Sequence, residues 1–207
     1  MNAVIPVNLA VEDELSEAVL RKLLAQSQPG FAIGCAYRRG GFGYLRRTVA
    51  GFNQAARGTP FVVLTDLDRG QCAPALIEEW LPQPRHANLI FRVAVRTVEA
   101  WLLGHQGALA DFLGIAERLV PLDVDDLKDP KAALIRLAKR SRRRDRREAI
   151  VPRRGSTARI GPDYNACLGE FVTQRWDASE AARTSPSLKR ALRNLRGFRP
   201  AWPPPPE

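Results

Sequence analysis

A short apolar run that ends on two acids constrains the fold of this chain more than any other stretch. Residues 61–64 read Phe-Val-Val-Leu, and Thr65-Asp66-Leu67-Asp68 follows them directly. A short, β-branched apolar run is typical of a strand that is buried on both faces in a parallel sheet. Ligands bind open α/β sheets at the carboxyl ends of the strands, so the two acids are predicted to lie at such a site.

The spacing of Asp66 and Asp68 predicts a metal site. If strand geometry continues, both side chains point the same way. Two neighbouring carboxylates repel each other unless a cation or a proton lies between them. Mg²⁺ takes oxygen ligands and is often held by one or two carboxylates together with substrate phosphate. The alternative is an ordinary turn, because the Asp-Arg-Gly at residues 68–70 is favourable turn chemistry.

Strand-like and helix-like segments alternate over about the first 105 residues. This alternation is typical of a parallel sheet flanked by helices. The predicted strands cover residues 3–10, 31–37, 61–64 and 88–95. The predicted helices cover residues 15–24, 44–56 and 73–81, and a further helix starts at Ala100. Glu12 and Glu99 follow the first and fourth strands, so four acids are expected along one edge of the sheet.

Residues 108–207 are predicted to form a helical, arginine-rich region packed on an α/β core of residues 1–107. Helices are predicted at 130–139, at 163–173 and from Ser185 through Leu195, where apolar residues recur at helical spacing. The acids at 123–126 are interpreted as a solvated connector and helix cap. The last six residues, with four consecutive prolines, are expected to be polyproline-like.

The charge of the chain indicates a polyanionic partner. It has 32 lysines and arginines against 22 aspartates and glutamates, a net charge of +10. Nucleic acid is the commonest partner of such a chain. Residues 139–147 form a dense basic run, which we interpret as a phosphate-contacting patch. The alternative for this run is a solvated helix face or a mobile loop.

The three cysteines exclude two classes of site. They are widely spaced and form no Cys-x-x-Cys, which argues against a zinc site and a disulfide framework. The sequence has no signal-peptide pattern and no apolar stretch approaching ~18 residues. We therefore expect a soluble, cytoplasmic protein with no membrane partner. His86 and His105 lack metal-ligand spacing and are expected at the surface or an interface.

The acidic motifs resemble those of the TOPRIM domain, the metal-binding α/β module of topoisomerases, primases and OLD-family nucleases. That family has a glutamate after the first strand, Asp-x-Asp after a later strand and often another acid after the next. Residues 11–17 resemble the first motif, and residues 64–68 resemble the second. Asp13 stands where the family usually has glycine.

A closer resemblance is to a small bacterial subfamily of OLD-nuclease-like TOPRIM proteins. It extends to Arg-Thr-Val-Glu-Ala-Trp-Leu-Leu at 96–103, Gly-Pro-Asp-Tyr at 161–164 and Ser-Pro-Ser-Leu at 185–188. In related defence systems, OLD-like nucleases work with an ABC-type ATPase. Because this chain has no Walker motif, the resemblance implies an antiviral defence subunit whose ATPase is a separate chain.

The resulting hypothesis is a metal-dependent nuclease that hydrolyses DNA or RNA. Its catalytic and metal-binding residues are Glu12, Asp66, Asp68 and, by the resemblance, Glu99, with Mg²⁺ or Mn²⁺ as cofactor. Arg69 and Arg96 would neutralise the scissile phosphate. The residues expected to hold the nucleic-acid backbone are Arg140, Arg142, Arg143, Arg144, Arg146 and Arg147. The alternative is a non-catalytic TOPRIM-like module that binds nucleic acid or an ATPase. A homo-oligomer is compatible with both hypotheses.

Overall fold

The computed structural model describes residues 4–28, 30–68, 70 and 72–202. The chain divides into two compact units. The first unit combines residues 1–94 with residues 190–207, and the second comprises residues 95–189. The boundary predicted after residue 107 therefore falls inside the second unit.

The first unit contains a four-stranded sheet. Its strands are β1 (Ile5–Val11), β2 (Phe31–Tyr37), β3 (Phe61–Asp66) and β4 (Leu89–Ala94). They lie side by side in the order β2-β1-β3-β4, and every neighbouring pair is parallel. The predicted α/β fold, with about four parallel strands flanked by helices, is confirmed.

The apolar run that opens β3 is buried because β3 lies between two other strands. Val62 and Val63 are fully buried. The strand runs two residues beyond its predicted end, since Thr65 and Asp66 still pair with β4. The acidic motif therefore begins within the strand.

The strand order reverses between β1 and β3. The chain passes from β1 to β2 on one side and then returns to β3 on the other side. In open α/β sheets, ligands bind in the crevice at such a switch point, beyond the carboxyl ends of the strands. Val11 pairs with Leu64, so the next residues along, Glu12 and Thr65, are neighbours at this crevice.

Three helices connect the strands: α1 (Glu14–Ala25), α2 (Gly41–Ala55) and α3 (Ala73–Trp80). The apolar residues of α1 recur at helical spacing and form one buried face. The members of this face are Leu15, Val19, Leu20, Leu23 and Leu24. Helix α1 packs against the first three strands, α2 against β1 and β3, and α3 against β4.

Helix α2 begins three residues before its predicted start at Tyr44. Gly40 has a φ of 75°, a left-handed conformation that glycine adopts without steric cost. This residue turns the chain into the helix at Gly41. Phe42, in the first turn, then packs edge-on against Trp80 of α3, with the ring centroids 4.7 Å apart.

The C-terminal segment of the described chain belongs to the first unit. The buried side chain of Asn88 donates to the Ala201 carbonyl oxygen at 2.9 Å and accepts from the Ala201 N–H at 2.7 Å. The ring of Phe198 stacks on Phe31, with centroids 6.4 Å apart. These contacts fix residues 198–201 beside the amino-terminal ends of β2 and β4.

The second unit is helical. Its elements are α4 (Val98–Leu103), α5 (Gln106–Leu113), α6 (Pro130–Lys139), α7 (Arg144–Ile150), α8 (Tyr164–Gln174), α9 (Ala178–Ala181) and the start of α10 (Pro186–Arg196), with 3₁₀ turns at Glu117–Leu119 and Val124–Asp126. Helices α6, α8 and α10 lie within a residue or two of their predicted bounds. Asp125 accepts from the Ser187 N–H and the Ser185 hydroxyl, both at 2.7 Å, and so caps α10, a helix about 60 positions later in the chain.

The core of the second unit is organised around α4, because all six residues of this helix are buried. The Trp101 indole N–H donates to the Ser187 hydroxyl at 2.8 Å. The Trp176 indole N–H donates to the Trp101 carbonyl oxygen at 3.1 Å. Both buried indole nitrogens thus have the partners that their burial requires.

In neither unit does a described helix have the length and apolarity needed to cross a membrane.

Candidate functional site

The carboxylate of Glu12 joins the carboxyl ends of the two central strands. Its Oε1 atom accepts a hydrogen bond from the backbone N–H of Asp66 at 2.9 Å. The same oxygen accepts a short hydrogen bond from the hydroxyl of Thr65. Glu12 is therefore held at the switch point by two donors from β3, and its orientation is fixed by the fold.

The electrostatic environment of Glu12 favours a proton or a cation. Partial burial of the carboxylate raises its pKa, and the nearby charges of Asp68 and Asp13 raise it further. The hydrogen bonds from Thr65 and Asp66 act in the opposite direction, but the net shift is upward. A cation that binds beside such a partly buried, ionised carboxylate stabilises it.

Asp68 lies in a turn, so strand geometry does not continue through the acidic motif. Leu67 still donates its N–H to the Ala94 carbonyl oxygen at 2.9 Å, but Asp68 then has a φ of 50°. The expectation that Asp66 and Asp68 share the alternation of one strand is therefore wrong. Asp68 thus lies in a turn, and its exposed carboxylate still raises the pKa of Glu12 from this turn.

Gly70 closes this turn, since its N–H donates to the Leu67 carbonyl oxygen at 2.8 Å. A Cβ atom on Gly70 would lie 2.9 Å from that same oxygen, which is too close for any other residue. A non-glycine residue with positive φ, such as Asp68, is uncommon and often marks a functional segment. Arg69, a predicted phosphate ligand, lies outside the described residues.

Asp13 does not disturb the first motif, although the TOPRIM family usually has glycine there. Its φ of −146° and ψ of −177° are extended values that any residue adopts. The side chain caps α1 by accepting the Ser16 N–H at 2.8 Å. The turn after β1 thus needs no glycine, and Asp13 stabilises the helix that follows.

Glu99 belongs to the second unit, where it lies in the first turn of α4 and is 1% exposed. Its Oε1 atom accepts from the Tyr164 hydroxyl at 2.9 Å and lies 3.3 Å from the Lys131 ammonium. Within the described part of the chain, its Oε2 atom is buried without a hydrogen-bond partner. One carboxylate oxygen is thus satisfied inside the unit, and the other has the chemistry to accept a cation or a donor.

Several arginines of the basic run form hydrogen bonds and ion pairs within the second unit. Arg146 makes two hydrogen bonds to Glu170, at 2.5 and 2.7 Å, and its guanidinium lies 4.3 Å from the centroid of the Phe112 ring. Arg147 donates to the Ser141 carbonyl oxygen at 2.7 Å, and Arg144 pairs with Glu148 at 2.7 Å. Arg146 therefore has a structural role that was not predicted.

Other members of the predicted phosphate patch are exposed. They are Arg140, Arg142 and Arg143. Arg147 also lines an open cleft of about 670 Å³ in the second unit, together with Asp145, Asp163 and Arg153. Charges of both signs line this cleft, so it does not form a purely basic surface. Arg96, the other predicted phosphate ligand, is half-buried and also lies in the second unit.

The residues of the first unit fit a magnesium-type cation in a limited way. Among the described residues, no three His, Cys, Asp or Glu side chains form a group that could hold a metal ion. Mg²⁺, however, is often held by only one or two carboxylates, with waters and substrate phosphate as further ligands. Glu12 and Asp68 provide two carboxylates that interact electrostatically, the number that such sites commonly use.

Thr65, Lys131 and Tyr164 contact the candidate acids, and the sequence did not predict these contacts. Thr65 had a local signal, because a hydroxyl directly before the first acid of a strand-end motif is placed to bond a neighbouring carboxylate. Lys131 and Tyr164 reach Glu99 from α6 and α8. No local pattern in the sequence connects those helices with α4.

No protein-family model matches this chain, and neither the curated proteins nor the solved structures contain a significant match to it.

Proposed function

We propose that the protein is a metal-dependent nuclease whose active site includes Glu12, Asp66 and Asp68. One observation supports this most strongly. The Glu12 carboxylate is fixed at the switch point of the sheet by Thr65 and Asp66, while burial and Asp68 raise its pKa. Ligand sites in open α/β sheets occur at this point, and carboxylates with raised pKa values cluster at functional sites.

Glu12 is suited to act as the general base. The pKa of this carboxylate is raised toward neutral pH, and a general base is most effective when its pKa lies near the working pH. In the proposed reaction, a water molecule attacks the phosphorus of a phosphodiester and transfers a proton to Glu12. The bond from phosphorus to the leaving oxygen breaks, and the leaving oxygen takes a proton from solvent.

Asp66 and Asp68 would hold the cation, with Glu12 as a further ligand where it does not act as the base. A bound Mg²⁺ or Mn²⁺ supplies Lewis-acid polarisation of the phosphate and lowers the pKa of bound water. The hydrogen bond from the Asp66 backbone N–H, 2.9 Å long, fixes the Glu12 carboxylate at the end of β3, beside the acids that would hold the cation. Glu99 as a further catalytic or metal-binding residue stays a prediction of the TOPRIM resemblance.

The second candidate function is a non-catalytic module that binds nucleic acid or an ATPase. The observation that favours it is the lack, among the described residues, of three acids, histidines or cysteines grouped around one metal position. Under this alternative, the raised pKa of Glu12 reflects a binding crevice rather than a reaction. A separate ABC-type ATPase and a role in antiviral defence also stay predictions of the resemblance.

The test is cleavage of plasmid DNA, single-stranded DNA and RNA with Mg²⁺, with Mn²⁺ or with EDTA. Wild type is compared with D66A, D68N and D123N. Asp123 is an exposed acid in the second unit, without a described side-chain hydrogen bond, so D123N removes one charge elsewhere.

We expect metal-dependent cleavage by wild type and D123N that D66A and D68N lose. Cleavage that survives in D66A and D68N would contradict the site assignment. If no protein cleaves any substrate, the binding-module alternative is favoured. The assay is then repeated with an ABC-type ATPase encoded beside the protein.

A further inference from the structure

Four arginines of the first unit form a cluster beside β4. Arg92 lies within β4, Arg85 lies in the segment before it, and Arg190 and Arg193 lie on α10. We call these four residues the arginine cluster. Arg92 Nη1 lies 3.5 Å from Oδ1 of Asn194. Asn194 follows Arg193 directly and donates to the Arg190 carbonyl oxygen at 2.9 Å, so its contact with Arg92 places β4 beside the turn of α10 that carries Arg190 and Arg193.

The arginine cluster carries positive charge without acidic partners. Among the described residues, none of its four guanidinium groups forms an ion pair with a carboxylate. By contrast, Arg21, Arg38 and Arg46 of the same unit all pair with glutamates. Arg39 and Arg57 of this unit also lack an ion pair among the described residues, so the cluster is distinguished by the grouping of three exposed guanidinium groups around the partly buried Arg92.

Arg92 is the inner member of the cluster. Partial burial and the charges of Arg85, Arg190 and Arg193 all lower its pKa. Its Nε atom is buried and has no hydrogen-bond partner in the described part of the chain. Arg85, Arg190 and Arg193 are exposed. A charged donor without a partner is costly, so the cluster gains most from an anion that can meet several guanidinium groups at once.

We infer that the arginine cluster binds the phosphodiester backbone of nucleic acid. Guanidinium groups bind phosphate oxygens in a bidentate manner, and repeated phosphates along a strand can satisfy several arginines together. Positions 190 and 193 lie on one face of α10, about one helical turn apart. Contacts of this kind hold the backbone without reading its sequence.

An acidic protein surface fits the cluster less well. Stable protein interfaces combine charge with buried aromatic or aliphatic anchors. The large hydrophobic residues exposed in the described chain are Val4, Phe42, Leu122 and Trp202, and no described contact joins any of them to the four arginines. A ligand that presents charge alone, such as a phosphate backbone, matches the surface better.

This inference extends the proposed function, because it names the surface that would hold the nuclease substrate. It also differs from the predicted patch at 139–147, which lies in the second unit. Binding and cleavage are separable in the test, because EDTA removes the cation while the cluster needs none. Binding that persists in D68N while its cleavage is lost would support both proposals.

The test is fluorescence anisotropy with labelled single-stranded DNA, RNA and duplex DNA in EDTA, over a series of salt concentrations. The main variant is R190A/R193A, which changes two exposed side chains. The matched control is R57A/R118A, which removes two exposed arginines without described side-chain contacts. The second variant, R92Q, changes the inner member of the cluster, and circular dichroism checks that each variant is folded.

We expect R190A/R193A to bind single strands about tenfold more weakly and to lower the slope of log K against log salt by about 1.4. The control should stay within about twofold of wild type, and folded R92Q should also bind more weakly. The inference is overturned if R190A/R193A keeps the affinity and slope of the control, or if wild type does not bind nucleic acid. Competition by poly-glutamate at the same strength as by nucleic acid overturns it in favour of an acidic partner.

Discussion

The carboxylate of Glu12 and the backbone N–H of Asp66 form a hydrogen bond of 2.9 Å, although 54 positions separate the two residues in the chain. This bond crosses from the end of β1 to the end of β3, where the strand order reverses. Glu12, which directly follows β1, is thereby held against the backbone of the acidic motif at residues 65–68. The first two predictions test this arrangement.

We predict that E12Q is more stable than wild type at pH 7 without metal. The pKa of Glu12 is higher in the folded state than in the unfolded state, so protonation of Glu12 stabilises the fold. This stabilisation is complete below the unfolded pKa of about 4.3 and is lost as the pH rises through the folded pKa. The ionised carboxylate therefore destabilises the fold at neutral pH. Glutamine keeps an acceptor oxygen for Thr65 and Asp66 and removes that charge. Thermal melts in EDTA, from acid to neutral pH, measure the difference.

Mg²⁺ should reverse this order. A cation that binds only the folded state stabilises it by about 2.7 kcal/mol at one hundred times its Kd, and wild type should gain far more from it than E12Q. The matched control is D123N, which should keep the wild-type response. Equal Mg²⁺ shifts in wild type and E12Q would show that Glu12 is not a cation ligand.

Substitutions of Asp68 should separate turn geometry from charge. Because its φ is 50°, alanine at this position costs about 1 kcal/mol relative to glycine, and asparagine should be tolerated. All three variants, D68A, D68G and D68N, should lose metal-dependent cleavage. Urea denaturation gives the free energies of unfolding. If D68A equals D68G in stability, the turn does not constrain this residue in solution.

Arg146 should contribute to stability rather than to binding. R146A removes two charged hydrogen bonds to Glu170 and the contact with the Phe112 ring, and we expect it to destabilise the protein by about 2 kcal/mol. R146K should recover only part of this loss, because lysine lacks the planar fork. Nucleic-acid affinity of the folded R146A protein should match wild type. A stability loss no larger than that of R142A, an exposed neighbour, would contradict the structural role.

His105 should make the second unit sensitive to acid. Its Nδ1 atom accepts the Asp177 N–H at 2.9 Å, which requires a neutral ring, and burial lowers its pKa. The unfolded chain takes up the proton first, so stability falls as pH drops below about 6.5. H105N, whose amide oxygen can accept the same hydrogen bond, should show a shallower loss over this range. An identical pH profile for both proteins would refute the assignment.

The parts of the fold that depend on local patterns were predictable from the sequence. The apolar run before Asp66 predicted a buried strand, and the position of Glu12 after β1 placed it at the same edge of the sheet as Asp66. The turn at Asp68 was weighed as an alternative but not chosen, because two acids separated by one residue suit a strand and a turn equally. The left-handed conformation at Gly40, which starts α2 early, has only a weak local signal in a Gly-Gly pair.

The parts that depend on distant partners were not predictable. Glu170, on another helix, accepts two hydrogen bonds from Arg146. The sequence of the basic run does not show that this arginine has an intramolecular partner. The arginine cluster combines β4 with a helix about one hundred positions later, and no spacing rule connects them. The same is true of the two hydrogen bonds between Asn88 and Ala201. In each case, the tertiary fold and not the local sequence selects the partner.

Those two hydrogen bonds have a consequence for synthesis on the ribosome. Residues 190–202 complete the first unit, yet all of residues 95–189 are translated before them. All four strands are then already translated, and only the segment that packs beside the amino-terminal ends of β2 and β4 is still missing. During that interval Asn88, buried in the finished fold, lacks both of its hydrogen bonds to Ala201, so the side-chain amide stays unpaired until the end of the chain is made.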